Sequence, residues 1–299
     1  MSLRARILRA VLRLTVRPAL ARARDPARER ARFDRWASRL CPPPRDVRLE
    51  ETALGRPALR LDPPQAGEGV LLYFHGGAYL TGSPRTHAGL VGALARRARV
   101  AAVLPQYRLG PEDGAPAGFE DASAAWAALR AQGLEARQIV LGGDSAGGGL
   151  ALALLSHLCR AGTPPAGAFA FSPWTDMTLS GASLQENADR DHYLPARRLD
   201  EVRDMVLQGF DPADPHVSPL FADFPDAPPV LIHVAESEIL RDDAVRMATV
   251  LPGAEIRLAG DLPHVWPFFY AVLPEALATL GETAAFIRRC LARASLTNS

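Results

Sequence analysis

The chain of 299 residues is 48% hydrophobic with a formal net charge of +1, which is ample for a well-buried core and leaves no charge excess to recruit nucleic acid or another polyanion. All 34 basic residues are arginine, a compositional habit and not a binding signal. Cys41, Cys159 and Cys290 are scattered and lack histidine at metal-ligand spacing, so neither a disulfide framework nor a metal site is expected, and a reducing, cytoplasmic setting fits best.

From Met1 to Arg24 there are seven arginines and no acid, and Leu3, Ile7, Val11 and Leu14 recur at helical spacing, predicting an amphipathic helix at least as far as Pro18. Its longest apolar run, Ala10 to Leu12, is too short for a secretory core or a membrane span. Basic amphipathic segments can lie on anionic lipid. The expectation for this one is that it folds onto its own domain.

The breakers Cys41 to Arg45 and Asp62 to Gly69 bracket "VRLEETALGRPALRL", whose alternation predicts a β-hairpin around Leu54 and Gly55. Short, fully apolar runs follow at Val70 to Phe74, Val100 to Leu104, Ile139 to Leu141, Ala166 to Phe171 and Val230 to Ala235. All but one are succeeded by helical periodicity, the pattern of buried parallel strands with crossover helices. Ser83 and Pro84 read as the cap and first position of a helix running toward Ala98, and Phe119 to Leu129 and Ala146 to Leu158 carry the next two. The class is doubly wound α/β. Between Ser172 and Pro229 the sequence is polar and proline-rich around one helical piece, Asp200 to Gly209, and reads as an insertion over the C-terminal edge of the sheet.

Chemistry concentrates at two strand ends. Gly143-Asp144-Ser145-Ala146-Gly147 has the form GxSxG where a buried strand meets a helix, which predicts a sharp turn that lifts the Ser145 hydroxyl clear of the sheet. The helix N-terminus behind it brings unpaired N–H groups and partial positive charge to the place where an oxyanion would form. At the other strand end, "HGGAY" supplies Gly76 and Gly77, whose main-chain N–H groups are expected to face that of Ala146 as an oxyanion hole. His75 is expected to brace this turn, and His87, spaced with Val91 and Leu94, to be packing.

"HGGAY", "GDSAGG", "YRLGPE" and "SPW" together resemble the hormone-sensitive-lipase-like family of α/β-hydrolase carboxylesterases, from Val70 to the C-terminal helix. The resemblance implies one α/β-hydrolase domain with a mostly parallel sheet, helices on both faces and a helical cap. Residues of about 1–45 and 184–222 would form the cap over a core of 46–183 and 223–299. It carries the oxyanion donors onto Gly76, Gly77 and Ala146, with Ala78 in place of the third glycine of HGGG and Gly110 in place of the usual alanine of YRLAPE.

Triad members of this fold follow in the order serine, acid, histidine. His264 in "DLPHVWPFF" stands between an apparent strand, Glu255 to Leu258, and the last helix, Pro274 to Leu291, and is the expected base. After the strand ending at Ala235, Glu236, Glu238, Asp242 and Asp243 are all available. The family pattern of Asp-Pro-Leu followed by an acidic pair is in register with Glu238-Ile239-Leu240, so Glu238 takes the acid position, with Glu236 and Asp242 as alternatives. Asp242 and Asp243 suit the N-terminus of the helix that follows. Trp174, Phe210, Trp266, Phe268 and Phe269 are candidates for an apolar acyl pocket, with packing the expected role for most.

The expected activity is hydrolysis of short to medium acyl esters through an acyl-enzyme, on a small-molecule ester, with no metal or organic cofactor. An amide or lactone hydrolase, or a non-catalytic receptor on the same framework, is the alternative. Oligomeric state is left open by the sequence, a homodimer included.

Overall fold

The computed structural model describes residues 1–251 and 253–296. Eight strands form one sheet: β1 Arg48–Leu54, β2 Arg56–Asp62, β3 Val70–Phe74, β4 Ala101–Pro105, β5 Ile139–Asp144, β6 Gly167–Phe171, β7 Val230–Ala235 and β8 Glu255–Ala259. Their spatial order is β1-β2-β4-β3-β5-β6-β7-β8. β1 and β2 form the expected antiparallel hairpin, with Leu54 opposite Arg56, and β2 pairs antiparallel with β4. From β4 to β8 every pair is parallel.

The central strands β3 to β7 are buried throughout, which is why their sequences read as unbroken apolar runs without polar alternation. Their side chains nonetheless divide by the two-residue period of a strand. Val70, Leu72 and Phe74 enter one core, and Leu71 and Tyr73 the other. The first core is closed by α5 (Ala117–Ala131), α6 (Ser145–Arg160) and α9 (Arg241–Val250), the second by α4 (Pro84–Ala98) and α10 (Pro274–Leu296). α4 begins as its sequence predicts. The Ser83 side chain accepts from Thr86 N in a capping box, and Pro84 fills the first turn where its missing N–H costs nothing.

At the N-terminus α1 (Leu3–Val11) runs through a π-helical stretch, Leu12–Val16, into α2 (Arg17–Arg22), and α3 (Pro26–Leu40) follows. Arg17 N donates to Leu12 O, the longer ring that lets the rod pass Pro18, whose ring would clash in an ordinary turn. The rod does fold onto the domain, but not by the stripe its periodicity marks: Leu3, Ile7, Val11 and Leu14 are exposed, and Ala5 and Leu12 are buried. Polar anchors set the rotation. Ser2 donates to Glu275, Arg9 pairs with Asp261, and Arg17 Nη2 donates to Ala188 O at 2.5 Å. No helix among the described residues is long and apolar enough to cross a membrane.

The insertion between β6 and β7 contains α7 (Ser183–Glu186) and α8 (Leu199–Leu207). Because β3, β5, β6 and β7 run in one direction, their C-terminal ends, at Phe74, Asp144, Phe171 and Ala235, lie along one edge of the sheet.

Candidate active site

At the end of β5 the chain turns into α6 within one residue, and Ser145 holds φ 52°, a left-handed conformation costly for any side chain but glycine. The turn is so tight that flanking side chains have no room. A Cβ on Gly143 would lie 2.2 Å from Gly147 O, and one on Gly147 2.2 Å from Phe74 O. GxSxG here is therefore a packing requirement between β3, β5 and α6, which sets the Ser145 hydroxyl at the strand edge.

His264, in the loop between β8 and α10, places Nε2 2.9 Å from Ser145 Oγ and Nδ1 2.6 Å from Glu238 Oε2. All three side chains are buried. Glu238 is held from behind, Oε1 accepting from Ala235 N at 2.7 Å and from Ser172 Oγ at 2.8 Å. The Ser172 hydroxyl in turn accepts from Val265 N at 3.2 Å, so one side chain from the end of β6 ties the acid to the histidine loop. Ser172 is the first residue of the SPW motif, the only signal of this role in the sequence. Burial alone would depress the His264 pKa. The hydrogen bond and charge of Glu238, with Asp191 and Asp144 behind it, outweigh that and raise it above the ordinary imidazole value.

The other acids lie elsewhere. Glu236 is exposed, and its N–H continues the β7–β8 ladder to Ala259. Asp242 accepts from Ser183 N at 2.9 Å, and Asp243 from Thr175 N and Asp176 N, so both clasp the insertion as well as sitting in the first turn of α9. A carboxylate not anticipated from the sequence, Asp191, is buried in the insertion. It accepts from Tyr193 N, Leu194 N and Ile239 N, which fastens the residue after Glu238 to the segment that covers it.

The "HGGAY" turn departs from the expected donor set at one position. Gly76 N donates to Asp144 Oδ1 at 3.0 Å, so that N–H is not free to meet an oxyanion, and Gly76 must be glycine because a Cβ would lie 2.2 Å from Asp144 Oδ2. The N–H groups of Gly77 and Ala78, at φ 125° and 57°, find no acceptor among the described residues. Ala146, in the first turn of α6, has an N–H that the helix cannot pair. Gly77, Ala78, Ser145 and His264 all line one cavity.

Asp144 also accepts from Tyr73 OH at 2.8 Å and meets His87 Nε2 at 3.3 Å, so His87 is more than packing. Burial pushes the Asp144 carboxyl up, but His87 and Tyr73 overcome it and hold the group below the usual carboxylate range. His75 braces the turn by donating Nδ1–H to Gly76 O and stacking on Tyr107 at 4.4 Å, while the Tyr107 hydroxyl donates to His75 O. Burial and the neighbouring His87 push the His75 pKa down to about 3, which keeps the ring neutral.

The cavity has a volume of about 290 Å³. Its floor is Ser145 and His264, and its apolar wall comes from Val16, Ala19 and Leu20 of the N-terminal rod, Phe33 and Trp36 of α3, Tyr193, Leu194, Pro195, Leu199 and Val202 of the insertion, and Phe268 and Phe269. Of the aromatic candidates, only Phe268 and Phe269 reach it. Trp174 and Trp266 are buried elsewhere, each donating its indole N–H, to Asp176 O and Thr279 Oγ1, and Phe210 packs on the first core.

A family model for the alpha/beta hydrolase fold matches residues 71–266. An acetyl-hydrolase of Streptomyces hygroscopicus is 40% identical over 224 residues, covering 73% of this chain and 75% of the relative. An esterase of Acinetobacter venetianus is 34% identical over 223 residues, covering 73% and 74%. The crystal structure of an esterase from the bacterial hormone-sensitive lipase family superposes with a TM-score of 0.91 at 34% identity, over 97% of this chain and 99% of that one. The chain belongs to the hormone-sensitive-lipase-like family of α/β-hydrolase carboxylesterases. It is a carboxylic ester hydrolase. The hormone-sensitive-lipase-like fold thus accounts for the convergence of separate strand ends, and for a cavity walled by segments from outside the sheet.

Proposed function

We propose that the protein is a serine carboxylesterase that hydrolyses short to medium acyl esters of small alcohols through an acyl-enzyme. The observation that carries this reading is the buried hydrogen-bonded series Ser145, His264, Glu238 opening into an apolar cavity beside unpaired N–H groups. Ser145 Oγ attacks the ester carbonyl as His264 Nε2 takes its proton. Glu238 holds the Nδ1–H tautomer and stabilises the imidazolium. The oxyanion is received by the N–H groups of Gly77, Ala78 and Ala146, in place of the set with Gly76. His264 then returns the proton to the leaving alcohol, and water repeats the sequence on the acyl-serine.

The domain division follows from the same reading. Residues of about 1–45 and 184–222 form a cap over the core of 46–183 and 223–299, since both segments contribute wall residues opposite Ser145. Three free, buried cysteines suit a reducing, cytoplasmic setting. The chain-length preference is tested with p-nitrophenyl esters from acetate to palmitate. A cavity of this volume predicts kcat/KM highest from acetate to octanoate and at least about tenfold lower for palmitate. A folded protein inert on every ester would overturn the reading in favour of a ligand receptor.

The charge state of His264 gives a second expected result. The base must be neutral to take the proton, so kcat/KM falls as pH drops through its pKa. Because that pKa is raised, the acid limb of the profile should lie above the position of an ordinary imidazole. Glu238→Gln removes the largest raising contribution and should move the limb to lower pH. A limb that is unmoved by the substitution would assign the titration to another group.

A further inference from the structure

We propose that the outward face of the N-terminal rod, α1 and the π-helical stretch after it, is a docking surface for an anionic phospholipid bilayer. Leu3, Ile7 and Val11 of α1 and Leu14 of the π-helical stretch that continues it are 68%, 56%, 49% and 77% exposed and fall along one side of the rod. The helix cannot roll to hide them, because Ser2 is held by Glu275, Arg9 by Asp261 and Arg17 by Ala188 O, and its opposite face is already seated through Ala5 and Leu12.

The charges beside the stripe select the occupant. At helical spacing Arg4 borders one side and Arg6 and Arg13 the other, all three exposed and without an ion pair among the described residues. No acid occurs between Met1 and Arg24. Across a two-fold contact with a second copy, these arginines would face arginines with no carboxylate on the helix to offset them. Lipid phosphates supply the missing charge, while the four apolar side chains enter the acyl boundary and the arginine stems lie along it. The same rod continues into the cavity wall at Val16, Ala19 and Leu20, so docking holds that wall within about 30 Å of helix from the bilayer.

The test is co-sedimentation of the full chain with vesicles of equal parts phosphatidylglycerol and phosphatidylcholine, against vesicles of phosphatidylcholine alone. The wild type should partition to the anionic vesicles and be released by salt. Combining Leu3→Gln, Ile7→Gln and Leu14→Gln should weaken partitioning at least about tenfold. Combining Arg4→Gln, Arg6→Gln and Arg13→Gln should cost about fivefold per arginine and remove the salt dependence. These exposed sites lie outside the cavity, and unchanged thermal unfolding midpoints would show that each variant folds. No enrichment of the wild type on anionic vesicles, or equal binding by the leucine and isoleucine variant, would overturn the proposal. So would a wild-type dimer that the same variant converts to monomer, which would assign the stripe to a second copy.

Discussion

Ser145→Ala should lower kcat/KM for p-nitrophenyl butyrate by about 10⁴-fold or more. The expectation rests on geometry. Ser145 Oγ has His264 Nε2 as its hydrogen-bond partner at 2.9 Å, so the substitution deletes the proposed nucleophile and leaves the proposed base without its partner, while nothing in the packing of α6 depends on the hydroxyl. The strained turn at φ 52° is set by the glycines at 143 and 147 and by the close approach of β3, and alanine inherits it unchanged. Substrate binding should survive, because the cavity wall is apolar and built from other elements. Residual hydrolysis above the rate in water would come from the oxyanion donors and binding alone. Turnover within tenfold of wild type would mean that another group attacks the ester.

Glu238→Gln should be nearly as severe, about 10³- to 10⁴-fold in kcat, and Asp242→Asn should stay within about threefold. The amide is close to isosteric, so the hydrogen bonds from Ala235 N and Ser172 Oγ to Oε1 can persist. What changes is the group presented to His264 Nδ1 at 2.6 Å. An amide nitrogen there offers a proton where the ring must donate one, which favours the tautomer with Nε2–H, unable to accept from Ser145. Even with the amide oxygen turned inward, the negative charge that stabilises the imidazolium is gone. Asp242 touches Ser183 N and Arg241 instead, so its loss affects only how the insertion is fastened. Equal losses for the two substitutions would show that the carboxylate acts through folding.

Much of this arrangement was legible in the sequence because both glycine motifs are local. A buried apolar run meeting glycines at Phe74 and at Gly142 announces a strand end with its backbone laid open. The parallel core was legible for a related reason, since burial on both faces erases the alternation that marks a half-exposed strand. What escaped was set by partners distant in the chain. Gly76 reads as a residue that frees the backbone, yet it is glycine because the Asp144 carboxylate occupies the space of its Cβ and takes its N–H, across 68 positions. That contact shifts the available donors one residue along, to Gly77 and Ala78. Periodicity in the first helix marks an apolar side correctly but carries no information on which way it turns; Ser2, Arg9 and Arg17 decide that through residues 171 or more positions away. Residue type also fails to sort aromatics. Trp174 and Trp266 satisfy their indole N–H groups inside the core, and Phe33 and Trp36, from a helix remote in sequence, form the cavity wall.

The proposed acyl-enzyme at Ser145 is tested most directly by covalent trapping. The protein would be incubated with an alkyl fluorophosphonate, its intact mass followed alongside the loss of activity, and the modified peptide sequenced by tandem mass spectrometry. One label per chain on Ser145, appearing in step with inactivation and absent from Ser145→Ala, is the predicted result. Stoichiometric inactivation with the label on any other residue, or full inactivation with Ser145 unmodified, would contradict it.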